Sequence, residues 1–506
     1  MAIRLYNTLS HKVEDLVTRE PGKARVYVCG ITTYDLAHAG HGRTYTTFDV
    51  LVRHLRARGI VVTHCRNVTD VDDKIVARAA ELGEEPLALS KRMSELADKD
   101  LAAIGCAKPD IEPRVSTSID AIIALTQKLI DKGLAYPSKT DAGTDVYFSV
   151  RAFPGYGKLS RRNIDDLLSG ARVEVGDVKK DPLDFALWKG CKEDGFGWAS
   201  PWGKGRPGWH IECSAMATTH LGESIDIHGG GMDLIFPHHE NEVAQSEGAH
   251  GCEFSRFWMH GGFLNVDKEK MSKSLGNFVT IRDVLDRNDA EAYRYFVLGT
   301  HYRGPISFDV EKLDDGRVRF PGVDEAERRM EYLYNTRDAL VAVSTGEDAR
   351  VANVLQGQSK IVQEAREKVL AALDNDLNTP VALSVIAELA KACNEIVAQI
   401  GKLKKDLAAQ QGAKQLAAVA ARELAAAVAP LGLMQTPSDE FWKRTTERRL
   451  RLRKLDPKQI DAKVEARTTA RANKDFAAAD AVRKELADLG VELLDAGDKT
   501  SWRVTL

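Results

Sequence analysis

The chain has almost no imbalance of charge. Its 71 Lys and Arg against 74 Asp and Glu leave a formal net charge of −3. That excludes a global electrostatic pull toward nucleic acid, so any anionic partner has to be met by a local patch. Long apolar runs are also missing. The stretches near Ile60 and Val385 are short or interrupted, well below the length of a membrane span. The opening Met-Ala-Ile-Arg-Leu-Tyr-Asn has no apolar core of signal-peptide length. Cysteine is sparse: seven in 506 residues, at Cys29, Cys65, Cys106, Cys191, Cys213, Cys252 and Cys393, with no Cys-x-x-Cys. This is no disulfide framework. Reduced thiols in a cytoplasmic protein are expected, some of them available to a metal. Internal repeats are absent too. What remains, 43% hydrophobic and 29% charged, is an ordinary globular composition, and the length suits two to four domains.

The front of the chain alternates. Residues 25–30 (Arg-Val-Tyr-Val-Cys-Gly) read as a buried strand. Tyr45, Phe48, Val52 and Leu55 recur at helical spacing between Gly42 and Gly59. Residues 60–68 read as a second strand and Asp72 to Leu82 as a second helix. This order predicts an α/β fold with a Rossmann-like parallel sheet. Residues from about 120 to 205 mix strand-like pieces with Gly- and Pro-rich turns and are read as an insertion splitting that sheet. Alternation resumes at Glu223 to Gly231, with a helix from about Asp233. Beyond about residue 310 strands nearly vanish, and 360–400 and 402–428 read as long helices of an α-helical bundle. The stretch around 436–440 reads as a linker, and 441–506 as a basic run followed by a helix and a strand pair. The division is therefore 1–310 catalytic, 311–430 bundle and 431–506 a small C-terminal α+β module.

Two distant strings suit one chemical task. His38-Ala39-Gly40-His41 falls where a strand turns into a helix, whose free N–H groups and partial positive charge suit a phosphate. Two imidazoles add donors, and Gly40 permits close approach. Lys270-Met271-Ser272-Lys273-Ser274 places two cations three residues apart in a polar loop, with Gly276 beyond. Attack at the α-phosphorus of ATP loads charge on the equatorial oxygens and on departing pyrophosphate, where positioned cations act. The competing readings are a chance or surface-metal His-x-x-His and a solvated lysine loop.

A second constellation joins Cys29, Cys213, His238 and Glu242. The last two are four apart and share a helix face. Two sulfurs, an imidazole and a carboxylate make a zinc set. His239 and Glu240 compete for the ligand roles, and two core cysteines beside a polar helix face is the plainer alternative. A third feature is the run Lys443, Arg444, Arg448, Arg449, Arg451, Arg453 and Lys454, with Phe441 and Trp442 beside it. It reads as either a solvated basic helix or an RNA-binding segment.

These strings together resemble the class I aminoacyl-tRNA synthetases. Within that class, Val28 to Arg43, Arg66 to Lys74, Gly208 to Cys213 and Asp226 to Glu242 resemble the cysteinyl-tRNA synthetase family, and Arg471 to Trp502 is similar to its C-terminal module. Ala39 is the one departure, where many members carry a bulkier apolar residue. The resemblance implies one Zn²⁺ per chain on Cys29, Cys213, His238 and Glu242. It implies a cysteine pocket at Gly30, Thr69, Trp209 and Asp233. ATP, with Mg²⁺, is implied at His38, Gly40, His41, Gly229, Gly230, Lys270, Ser272 and Lys273, with His38, His41, Lys270 and Lys273 catalytic. Arg448, Arg449, Arg451 and Trp442 are implied for tRNA(Cys). A monomeric, cytoplasmic, membrane-free enzyme follows.

The chemistry so implied is attack of the cysteine carboxylate on ATP, which needs no protein base, and then acyl transfer to the terminal adenosine of tRNA. A metal that prefers sulfur would reject serine without an editing site, and no editing motif is visible. Whether substrate becomes a fifth ligand or displaces one stays open. Two rivals remain. A ligase joining cysteine to an amino sugar would lack the segment 435–506, and a non-catalytic tRNA-binding paralogue would lack the two strings.

Overall fold

The computed structural model describes residues 2–163, 179–266, 269–270, 278–313, 318–346, 355–496 and 499–505. Four strands, Lys23–Val28, Val61–Arg66, Ile225–Gly231 and Ser255–Gly261, make one sheet. Its order runs Ser255–Gly261, Ile225–Gly231, Lys23–Val28, Val61–Arg66, and every pairing is parallel. Alternation within the first strand decides what each face carries. Val26 and Val28 pack with Phe48 in one core, while Tyr27 and Cys29 pack with Cys65, Ile211 and Cys213 in the other. Cys29, one residue past the strand, thereby points toward the helix Trp209–Leu221. Both faces are covered, which is why the strands read as nearly unbroken apolar runs.

The insertion falls between the second and third strands of the sheet. It forms an antiparallel sheet of Ala135–Thr140, Gly143–Phe148, Phe185–Gly190 and Gly205–Pro207. Lys189 and Arg206 on that sheet both bridge to Asp73 (2.6 Å each), the first residue of the helix Asp73–Leu82.

The helical half differs from the sequence reading in three places. Residues 360–400 are two helices, Gln356–Asp374 and Thr379–Lys402. The break falls at Asp376 (φ 58°) and Leu377 (φ 48°). The Asp376 carboxylate accepts from Tyr6 N (2.8 Å), Tyr302 Oη (2.7 Å) and Arg303 Nε (2.8 Å). Asn378 caps the next helix through Val381 N at 3.2 Å. The stretch 436–440 is no linker: Pro437 precedes the helix Ser438–Arg453, pinned to the bundle by Ser438 and Trp442 on Asp338. The last segment holds three helices, with Pro457–Ala472 and Phe476–Asp488 before the hairpin Val491–Ala496 and Lys499–Val504. Among the described residues no helix is long and apolar enough to cross a membrane.

Candidate active site and metal centre

The first signature caps its own helix. His38 precedes the helix Ala39–Ala57 and accepts from His41 N at 3.2 Å, while His41 Nδ1 accepts from His38 N at 3.3 Å. The rings stack with centroids 3.5 Å apart. An Nδ1 that accepts from a backbone N–H leaves the proton of a neutral imidazole on Nε2. Burial, with the nearby His38, holds the His41 pKa well below the usual histidine range, so it stays neutral. Both rings therefore present Nε2–H donors at a helix N-terminus.

The lysine segment is tied to that signature at both flanks. Just after it, Ala39 N donates to Val279 O (2.9 Å), Ile281 N donates to Ala37 O (2.9 Å), and Phe278 packs edge-on against His38. Just before it, the strand Leu264–Val266 pairs with Glu269–Lys270, Asn265 opposite Lys270. Arg43, fully buried, donates to the carbonyls of Phe263 (2.5 Å), Tyr302 (3.2 Å) and Gly304. It thus fastens the signature helix to that strand, a role the sequence reading missed. Ser272 and Lys273 lie outside the described residues, and so does the side chain of Lys270.

The four metal candidates converge. Cys29, Cys213, His238 and Glu242 offer donor atoms that all lie within 4.8 Å of one another, and all four residues are buried. Cys29 Sγ is 3.7 Å from Cys213 Sγ and 3.5 Å from Glu242 Oε1, and His238 Nε2 is 3.1 Å from Glu242 Oε1. Burial opposes ionisation of Glu242, but the His228 and His238 imidazoles hold its carboxyl down at about 2. The hydrogen bond from Cys29 brings the Cys213 thiol down to about 6, whereas burial first, and then the neighbouring Cys213, pushes Cys29 well up. Burial would lower His238, but Glu242 and Cys213 raise it to about 10. Glu242 Oε2 is buried without a directed hydrogen bond, although His228 Nε2 lies 3.2 Å away. Two sulfurs, an imidazole and a carboxylate, all buried with their donor atoms gathered within 4.8 Å, form a donor set that fits a thiophilic dication.

Around this set the structure adds residues that spacing did not reveal. His238 Nδ1 meets His210 Nδ1 at 3.0 Å, and Trp209 stacks on His238 at 4.4 Å. Asn67 Oδ1 accepts from Gly30 N (2.8 Å) and lies 3.7 Å from Cys213 Sγ, and its amide donates to Thr69 Oγ1 (3.1 Å). Gly30, Thr69 and Trp209 thus border the metal candidates on one side, at the carboxyl ends of the strands, where open α/β sheets bind ligands. A side chain at Gly30 would strike Asn67 O at 1.5 Å, so glycine there fixes the backbone crossing. Asp233 lies in the short turn Met232–Leu234, with its carboxylate over Gly231. Gly229 needs a packing account: a Cβ there would meet the Phe48 ring at 2.2 Å, and one at Gly230 would meet Leu234 at 2.8 Å. Gly40 lies in the first turn of the signature helix.

The arginines of the basic run have acidic partners from elsewhere in the chain. Arg448 Nη2 lies 2.5 Å from Glu327, and Arg449 donates to Glu327 (2.8 Å), to Glu331 and to Val504 O (2.9 Å). Arg444 pairs with Asp289 at 2.7 Å. Phe441 is fully buried on Tyr334, and Trp442 donates to Asp338. These residues weld the helix Ser438–Arg453 to the body of the protein, with the side chains of Arg448 and Arg449 only 9% and 5% exposed and that of Arg444 32%. Of the four residues implied for tRNA, only Arg451 presents its guanidinium, 60% exposed and 3.7 Å from Asp286. Farther on, Phe476 is 63% exposed, five residues beyond Arg471.

Comparison with known proteins decides the family. Residues 15–317 match the tRNA synthetases class I (C) catalytic domain, 368–435 the DALR domain and 457–503 the cysteinyl-tRNA ligase anticodon binding domain. The cysteine–tRNA ligase of Anaeromyxobacter sp. (strain K) is 47% identical over 509 residues, covering 100% of both chains. The chain belongs to the cysteine–tRNA ligase family. A second member, from Chromohalobacter salexigens, is 44% identical over 502 residues, with 99% of each chain covered. The fold is shared more widely. Mycobacterium tuberculosis methionyl-tRNA synthetase, solved with methionyl-adenylate, superposes with a TM-score of 0.61 at 17% identity, over 86% of this chain and 95% of that one. An Agrobacterium radiobacter LeuRS gives 0.57 at 14% identity, over 85% and 86%.

Proposed function

We propose that this cysteine–tRNA ligase family member activates L-cysteine with ATP and transfers it to the terminal adenosine of tRNA(Cys), selecting its substrate at a zinc ion held by Cys29, Cys213, His238 and Glu242. The observation that carries this reading is the convergence of those four buried donors beside Gly30, Thr69 and Trp209. When bound there, Zn²⁺ supplies a Lewis acid that prefers a thiolate to a hydroxyl. The pocket walls orient the amino acid, with Trp209 closing one side and the Asn67–Thr69 pair another. His38 and His41 donate Nε2–H to the phosphates of ATP, and Lys270 and Lys273 bring positive charge to the oxygens that gain it as the α-phosphorus is attacked. The substrate carboxylate is already ionised at neutral pH, so the protein's work is alignment and charge stabilisation.

The amino-sugar ligase alternative is not favoured, because residues 457–503 match an anticodon binding domain. On that domain the exposed Phe476 and Arg471 are the residues we assign to RNA, and Arg451, on the helix before it, is a third candidate. Cysteine-dependent ATP–pyrophosphate exchange followed by charging of tRNA tests the whole reading. Exchange with transfer to tRNA is expected. Exchange without transfer supports the amino-sugar ligase, and absence of exchange supports the non-catalytic paralogue.

A further inference from the structure

The donor cluster contains a second metal seat. Cys29, His228, His239 and Glu242 also place their donor atoms within 4.8 Å of one another, all buried. The distances match those of the first set. His239 Nε2 is 3.3 Å and His228 Nε2 3.7 Å from Cys29 Sγ, while His228 Nε2 is 3.2 Å from Glu242 Oε2. Four ligands on a tetrahedral zinc, with bonds of about 2.0–2.3 Å, stand about 3.3–3.8 Å apart, so both sets have the edges such a site needs. The Glu242 carboxylate divides itself between them. Oε1 faces His238 at 3.1 Å, and Oε2 faces His228.

One ring of this second set, His239, is also supported as a ligand is. A metal-binding imidazole usually commits its other nitrogen to a hydrogen bond that fixes ring and tautomer. His239 Nδ1 lies 2.8 Å from His260 Nε2, and His260 Nδ1 lies 2.8 Å from Thr8 Oγ1. With His239 Nδ1–H donating to His260, and His260 Nδ1–H donating to Thr8, His239 Nε2 is left as a lone pair aimed into the cluster. His228 is held by packing instead, stacked on Tyr27 with centroids 5.2 Å apart and against Trp258 at 4.6 Å.

The two seats look in opposite directions. The outer one, with Cys213 and His238, borders Trp209 and the Asn67–Thr69 pair. The inner one borders Tyr27, Trp258 and His260. We propose that the same ion has two overlapping seats sharing Cys29 and Glu242, and that the inner one, on His228 and His239, holds the metal out of reach of a substrate thiol. The proposal rests on the zinc reading above.

The test uses the full chain and two variants that each damage only the outer seat, Cys213→Ala and His238→Ala. Metal content after gel filtration and X-ray absorption at the zinc edge are read for each. The wild-type protein should show two sulfurs and one imidazole. Each variant should keep about one ion per chain, now with one sulfur and two imidazoles, and lose it when His239→Ala is added. A damaged outer seat alone would give one sulfur and one imidazole in Cys213→Ala, or two sulfurs and none in His238→Ala, and either pattern overturns the inner seat. So does a folded variant without metal. Because the variants remove different ligands, misfolding of one leaves the other to decide. Wild-type protein free of zinc would instead defeat the functional reading itself.

Discussion

Two buried clusters of charge in the molecule are built on opposite principles. At the junction with the C-terminal helix, Arg444, Arg448 and Arg449 meet Asp289, Glu327 and Glu331, so that guanidinium answers carboxylate. At the sheet's carboxyl edge, two sulfurs and a carboxylate gather with imidazoles and no guanidinium or ammonium among them. The first cluster pairs cations with anions and holds the protein together. The second is open to one more cation, and that openness marks it as a site. The comparison can be broken by removing one member from each.

Cys29→Ala is expected to have the largest effect, lowering kcat/KM for cysteine in pyrophosphate exchange about a thousandfold, or ~4 kcal/mol, with little change in the KM for ATP. Unchanged cysteine kinetics with full zinc content would erase the distinction between the clusters. Arg449→Ala should act on stability instead. It takes one of two guanidiniums from buried Glu327, where Arg448 remains, and the partner of Glu331, for a loss of about 2 kcal/mol in denaturant unfolding, and leaves cysteine discrimination against serine as it was. If it altered that discrimination instead, the junction would be part of the site.

A third outcome concerns neutral buried imidazoles far from either reaction. Burial lowers His54, which also meets Asp374 at 2.9 Å, and His64 to about 4, against an ordinary value near 6.5. Between those values the unfolded chain binds protons that the folded chain does not, so stability rises with pH across that window and is lost as pH falls from 6.5 toward 4. About 2 kcal/mol per histidine is expected, read as a falling Tm over that range. His64→Gln should flatten the slope, and an unaltered slope would remove His64 from the account. The smallest effect belongs to Arg451→Ala. Its pair with Asp286 is exposed, so stability should move by less than about 1 kcal/mol, while KM for tRNA rises a few-fold in charging assays. An unchanged KM would take Arg451 out of the RNA surface.

The same contrast explains what the sequence revealed. The parallel sheet was legible because Val26, Val28, Ile225 and Ile227 lie in strands buried on both faces. Of the metal candidates, His238 and Glu242 were legible from their spacing of one helical turn, while Cys29 and Cys213, so distant in sequence, were joined to them only by the family resemblance. The surroundings of the basic run were not legible because a string of arginines looks the same whether it faces water or three carboxylates. Asp289, Glu327 and Glu331, more than a hundred residues earlier, decide that, and only the fold brings them near. His228 and Asn67 were missed for the same reason: their partners come from distant parts of the chain. The break at Asp376 was hidden because its stabilising contacts come from Tyr6, Tyr302 and Arg303.

The most direct test compares cysteine with serine as substrates for ATP–pyrophosphate exchange, before and after the zinc is stripped with a chelator and restored. A strong preference for cysteine that collapses on stripping and returns with zinc is the predicted result. Equal handling of serine by the zinc-loaded protein, or full cysteine preference without the metal, would contradict the account.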